Sequence, residues 1–135
     1  MSALADKVNE IMSAEWACVR ALRRAEALSD GPGQLEVIKR VRKDCSYQCV
    51  NLANVVRGLQ GRPTDIPSAR FSMKIENETF ADVVDLIRSV QQHIVDELAA
   101  VLDEPGLEAF RPQLVQIRQV HTEDIRWLRA ALEPS

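Results

Sequence analysis

The placement of glycine and proline is the feature of this sequence that most constrains its fold. These residues are concentrated in four segments: 31–33, 58–67, 105–112 and 134. The stretches between them are about 22 to 28 residues long, and apolar residues recur in them every three or four positions. Long segments with this period are typical of amphipathic helices. The sequence therefore predicts an all-α fold with four helices, which span about 3–29, 34–60, 79–103 and 111–132.

The composition excludes several other classes of protein. Six aromatic residues and five glycines are too few for a β-sandwich or barrel, which needs frequent turns and aromatic strands. No apolar run approaches 18 residues, so we expect no membrane-spanning helix. A chain of 135 residues is too short for two independent cores. We therefore expect one domain over residues 1–135.

Charge and cysteine content indicate the compartment and the kinds of partner. The net charge of −3 gives no general attraction to nucleic acid. A basic run at 39–43, with Arg20, Arg23 and Arg24, could hold DNA, but we interpret it as a solvated surface and expect no nucleic-acid partner. Three cysteines without the spacing of a metal finger favour reduced thiols, and the first ten residues lack the apolar stretch of a secretory signal. We expect a cytoplasmic protein.

Capping residues and linker lengths predict the ends and the order of the helices. Thr79 and Asp82 resemble a capping box, Gly61 is placed as the C′ residue of the second helix, and Pro112 suits a first turn. Short linkers make helices 1 and 2, and helices 3 and 4, antiparallel pairs. The link 62–78 is longer: 17 extended residues reach about 56 Å, more than the roughly 40 Å of a 27-residue helix. It carries apolar side chains at Ile66, Phe71, Met73 and Ile75, so we expect a long crossover packed along the bundle.

Polar residues interrupt the apolar stripes of all four helices near their midpoints. Antiparallel helices of similar length align at their midpoints, so these residues should meet in one central layer. Its expected members are Glu15 on helix 1, Cys45 and Gln48 on helix 2, Gln91 on helix 3, and His121 and Asp124 on helix 4. In each helical pair the second helix carries a further polar residue three positions after its first one. The spacing also repeats, because 30 residues separate Glu15 from Cys45 and Gln91 from His121. The chain thus consists of two similar helical hairpins.

This pattern resembles the ferritin-like superfamily, and it is most similar to small bacterial ferritin-like domains with a short glycine- and proline-containing loop after helix 2. Here that loop is 59–64, Leu-Gln-Gly-Arg-Pro-Thr. The resemblance covers essentially the whole chain and implies a four-helix bundle of two antiparallel hairpins joined by the crossover. It also implies a di-metal site with one Glu from each of two helices and a Glu-x-x-His pair from each of the others.

The sequence departs from that ligand set at most positions. Helix 2 carries Cys45 and Gln48 in place of Glu-x-x-His, helix 3 carries Gln91 in place of a Glu, and helix 4 carries His121 and Asp124. Two iron ions need several carboxylates, so the sequence predicts no di-iron centre and no cofactor. The first hypothesis is a buried polar layer in a non-catalytic structural or interaction protein, in which Glu15 and His121 face each other and Gln48 and Gln91 supply the remaining hydrogen bonds.

Two alternatives use the same layer. Thiolate and imidazole donors suit zinc or copper, which makes a softer metal site possible at Cys18, Cys45, Cys49 and His121, with Glu15 nearby. The layer could instead bind a small molecule, and either site would allow an oxidoreductase. Trp16 and Trp127 are expected at a seam between helices or at an interface, so a homo-oligomer is a further expectation.

Overall fold

The computed structural model describes residues 3–71 and 79–132, which fold into four long helices. They are α1 (Ala3–Leu28), α2 (Pro32–Gly58), α3 (Phe80–Leu102) and α4 (Arg111–Leu132). Two 3₁₀ turns, Ala69–Phe71 and Glu108–Phe110, precede α3 and α4, and the described residues contain no strand. The all-α prediction is confirmed, and each helix boundary lies within two residues of its predicted position.

Local sequence explains where these helices begin and end. α2 begins at Pro32, two residues before the predicted start, because extended Gly31 precedes it and proline suits a first turn. The capping box at the start of α3 is present: the Thr79 hydroxyl accepts from the Asp82 amide, and the Asp82 carboxylate accepts from the Thr79 amide.

The placement of Gly61 as the C′ residue of α2 is wrong. The left-handed residue is Gln60, with φ of 64°, and Gly61 follows it. The amides of Gln60 and Gly61 donate to the carbonyls of Arg57 and Val56, which is a Schellman termination. Glycine is needed at 61 for a different reason: a Cβ there would lie 2.7 Å from the Cβ of Ala5.

The helices neighbour one another in a square in which α1 and α4 each pack against α2 and α3. Contacts show that neighbours are antiparallel: Glu26 of α1 pairs with Arg42 of α2, and Lys7 of α1 pairs with Glu104 beyond the end of α3. α4 likewise runs against α2, since Gly58 lies against Phe110 at one end and Arg40 lies over Trp127 towards the other. α2 and α3 are therefore parallel, on one diagonal of the square.

The link between these parallel helices lies along α1 over its described part, residues 62–71. The Asn9 side chain donates to the carbonyl of Arg62 and accepts from the amide of Thr64. Trp16 donates to the carbonyl of Thr64, and the Ser68 amide donates to the carbonyl of Ser13. These bonds anchor the link to one face of α1.

The predicted apolar contacts of the link are only partly correct. Phe71 packs against the core and its ring meets that of His93. Ile66 is exposed, because the polar backbone atoms of the link, and not this side chain, face α1. Met73 and Ile75 lie outside the described residues.

The apolar stripes meet in one core. Its largest fully buried side chains come from all four helices and the turn before α4, and include Ile11, Leu22, Ile38, Leu52, Ile87, Ile94, Leu98, Leu107, Leu114, Ile117 and Leu128. The described part of the chain contains no helix that is both long enough and apolar enough to cross a bilayer.

Candidate metal centre in the core of the bundle

Glu15 and His121 form the centre of the polar layer. Glu15 lies between Ile11 and Val19 on the inward stripe of α1, and His121 lies on the inward stripe of α4. Both side chains are fully buried, and His121 Nε2 is 2.5 Å from Glu15 Oε2. The contact that the shared helix register predicted is present, and it joins the helices of one diagonal of the bundle.

The other diagonal is joined through sulfur. The side-chain amide of Gln91 on α3 donates to Cys45 Sγ on α2 at 3.3 Å and contacts Cys18 Sγ on α1 at 3.8 Å. The two sulfurs are 3.7 Å apart. The Cys18 contact, together with burial and nearby negative charge, raises the pKa of the Cys45 thiol well above its ordinary value. The layer thus connects all four helices through buried polar side chains.

Three potential metal donors converge where these diagonals cross. One donor atom each from Glu15, Cys45 and His121 lies within 4.8 Å of the other two, and all three residues are buried. Carboxylate, thiolate and imidazole together match the donors that zinc accepts. The layer therefore contains a three-donor set that one metal ion can bind.

Several buried atoms in the layer have no hydrogen-bond partner among the described residues. They are Glu15 Oε1, His121 Nδ1, Gln91 Oε1 and Asp124 Oδ2. The sequence hypothesis assigned Gln48 and Gln91 to satisfy the Glu15–His121 pair, and the structure does not support this assignment. Gln91 bonds the two thiols instead, and Gln48 accepts from Asn51 one turn along its own helix. A buried polar atom without a partner costs about 1–3 kcal/mol.

Asp124 is fully buried at the edge of the layer, beside a residue that the sequence analysis missed. Burial raises the pKa of Asp124 to about 9, and a hydrogen bond to Asp44 and the charges of Asp44 and Glu15 act in the same direction, whereas Arg40 opposes them. Asp44 lies one turn before Gln48 on the side of α2 that faces α4. Its spacing from Gln48 is the one sequence signal for Asp44, and this spacing alone does not identify Asp124 as its partner.

The predicted soft site at four residues comes together only in part. Cys45 and His121 belong to the three-donor set, and Cys18 contacts Cys45 but lies outside that set. Cys49 is buried, which raises the pKa of its thiol, but it makes no sulfur contact among the described residues. One helical turn separates Cys49 from Cys45, and the nearby charges of Glu15 and Cys18 add to the effect of burial on its pKa.

The remaining candidate residues have structural contacts of their own. Trp16 anchors the link, and Trp127 packs under the guanidinium of Arg40 at 4.3 Å. Arg42 pairs with Glu26 at 2.8 Å, while Lys39 and Lys43 are exposed. The basic run is therefore divided between two helix–helix contacts and solvent.

No protein-family model matches this chain, and comparisons with curated proteins and with solved structures give no match.

Proposed function

We propose that this protein is a ferritin-like four-helix bundle whose central layer binds one divalent, borderline-soft metal ion of the zinc class. Glu15, Cys45 and His121 are its protein ligands. The observation that carries this proposal is the convergence of three donors from three helices within 4.8 Å, all of them fully buried. The parallel arrangement of α2 and α3, which requires a crossover, supports the ferritin-like assignment.

Charge balance favours one divalent ion over two irons. An ionised Glu15 and a Cys45 thiolate carry two negative charges, which neutralise one M²⁺ in a site where an unbalanced charge is costly. Two irons need more carboxylates, and the corresponding positions hold the amides of Gln48 and Gln91. The donor set therefore does not fit a di-iron centre.

The unpartnered atoms also favour an ion at this position. Within the part of the chain that the structure describes, the carboxylate oxygen Glu15 Oε1 and the amide oxygen Gln91 Oε1 are buried without partners. Both are further oxygen donors at the position of the three-donor set. An ion between Glu15 and His121 would replace their hydrogen bond and attract these oxygens. With one of these oxygens as a fourth donor, every position on the ion would be filled by the protein, and such a closed site stabilises a fold, whereas a catalytic zinc keeps an open position. The proposed role of the ion is therefore structural.

A second candidate function is the metal-free polar layer of a structural or interaction protein. The direct Glu15–His121 bond favours it, because the pair is already closed without an ion. Tyr47 and Val50 on α2 are 65% and 57% exposed, and such apolar exposure suits a partner surface. A homo-oligomer remains a prediction under either function.

Metal titration of single-residue variants separates the two functions. We expect the chain, purified without chelators, to hold one zinc per molecule by elemental analysis. Cobalt substitution should give a thiolate-to-metal charge-transfer band, because Cys45 is a ligand. Both signals should be lost in Cys45→Ala and kept in Cys49→Ala, a matched control that removes a buried thiol one turn away. Absence of bound zinc and of the cobalt band in the unmodified protein would refute metal binding and leave the polar layer as the function.

A further inference from the structure

The Cys18–Cys45 pair is the other reactive feature of the layer, and the proposed metal ligands use only one of its sulfurs. The two side chains come from adjacent antiparallel helices, and their sulfurs are in van der Waals contact at 3.7 Å. A disulfide bond is about 2.05 Å long, so closing it requires each sulfur to move by less than about 1 Å. Contact at this distance brings one sulfur from α1 and one from α2 close enough for a cross-link.

We propose that Cys18 and Cys45 are a redox pair, which a peroxide converts into an intramolecular disulfide, and that this oxidation releases the metal ion. The release rests on the proposed function, since it requires Cys45 to be a ligand. The disulfide occupies the Cys45 sulfur. Glu15 and His121 then remain as two donors with a single negative charge between them, too few to hold a divalent ion in a buried site.

The reaction balances with peroxide as the oxidant. The Cys45 thiolate attacks one peroxide oxygen, the O–O bond breaks, and the sulfur becomes a sulfenic acid while hydroxide leaves. The Cys18 sulfur then attacks the Cys45 sulfur, the S–S bond forms, and the second hydroxide leaves. In the metal-bound protein Cys45 is already a thiolate, so the Cys18 thiol supplies one proton and solvent supplies the other, and both hydroxides become water. Two thiols are thus oxidised by two electrons, and one peroxide is reduced to two waters.

The position of Gln91 suits both sulfurs. Its amide N–H group lies 3.3 Å from Cys45 Sγ and 3.8 Å from Cys18 Sγ, so it can stabilise negative charge on either one during the exchange. Both sulfurs are fully buried, so peroxide reaches them when the bundle opens locally, and the reaction is slow. The end point of the oxidation, and not its rate, is therefore the quantity to measure.

Thiol counting after peroxide treatment tests the pair. Thiols are titrated under denaturing conditions, and peptide mass spectrometry maps any cross-link. We expect the count to fall from three to one in the unmodified chain and from two to none in Cys49→Ala, with a peptide joining 18 to 45. Cys18→Ala should give no cross-linked peptide, because the sulfenic acid on Cys45 then has no Cys18 sulfur to react with. An unchanged count in the unmodified chain would overturn the proposal, as would a cross-link through Cys49 or sulfinic acid without a cross-link.

Zinc release is measured on the same samples with a chromophoric chelator. We expect bound zinc in Cys49→Ala to fall from one per chain to nearly none on oxidation, and to return after reduction with a dithiol. Zinc that stays bound after the disulfide has formed would refute the coupling. If the untreated protein binds no zinc but the 18–45 disulfide forms, the proposed function fails and the redox pair stands.

Discussion

Replacing Glu15 and His121 singly and together tests whether the central pair is energetically coupled. Each residue is fully buried, and their one mutual contact is the 2.5 Å bond. Glu15→Met removes the carboxylate and leaves both ring nitrogens of the buried His121 without a partner. His121→Leu leaves both carboxylate oxygens of Glu15 unsatisfied, because Oε1 already has no partner. Each single change should therefore lower the free energy of unfolding by about 1–3 kcal/mol, because it leaves a buried polar group of the other residue without a hydrogen bond.

The double variant removes both polar groups, so neither is left buried without its partner. Its cost should be smaller than the sum of the two single costs by at least about 1 kcal/mol, which is the coupling expected for residues in direct contact. Urea unfolding followed by circular dichroism measures all four proteins, with a chelator present so that bound metal does not contribute. Strict additivity of the two losses would refute the interaction and, with it, the shared layer.

A distant pair provides the control for this cycle. Leu107 is buried near the N-terminal end of α1, where neighbouring Gly106 approaches Leu4. Eleven residues of helix, roughly 16 Å, separate Leu4 from Glu15. Glu15→Met combined with Leu107→Ala should therefore be additive within about 0.5 kcal/mol. Non-additivity in this pair would show that the change at 15 alters the whole bundle.

Three further predictions concern other contacts. The pKa of Asp124 is raised to about 9 on folding, so the folded state binds its proton more tightly than the unfolded state does. The free energy of unfolding should therefore fall as pH rises from about 4 to 9. Asp124→Asn should flatten this slope in urea titrations at several pH values. Gly61→Ala should cost about 1–3 kcal/mol because its Cβ would meet that of Ala5 at 2.7 Å, and an unchanged unfolding midpoint would contradict this. Asn9→Ala removes both side-chain bonds to the link and should speed proteolysis within 62–71, a change that Asn54→Ala on an exposed face should not produce.

The fold and the register of the layer were predictable because both depend on periodicity. Apolar spacing placed Glu15 and His121 on inward faces, and their positions at the helix midpoints predicted contact across the bundle. The prediction of the helix ends was less accurate, because Gln60 takes the left-handed position that was predicted for Gly61. Apart from the Glu15–His121 contact, the bonds within the layer were not predictable, because they depend on side-chain rotation and not on spacing.

The partner of Asp124 and the division of the cysteines show the same limit. Asp44 falls between the buried and exposed faces of α2, so its orientation towards α4 depends on which neighbour α2 packs against. Cys45 and Cys49 lie one turn apart on the same stripe, and by sequence both were possible ligands of a soft metal site. The structure distinguishes them, because Gln91 and Cys18 contact the first sulfur, which also belongs to the three-donor set.

The diagonal placement of α2 and α3 has a consequence for the folding rate. The Glu15–His121 bond joins residues 106 positions apart, and the Cys45–Gln91 bond joins residues 46 apart. Contacts this remote in sequence form after the local ones, because closing long loops costs chain entropy. Each hairpin supplies half of the layer, so the layer is complete only when the two hairpins have docked. A cobalt band that appears during refolding would therefore report the docking step and lag behind the recovery of helical circular dichroism.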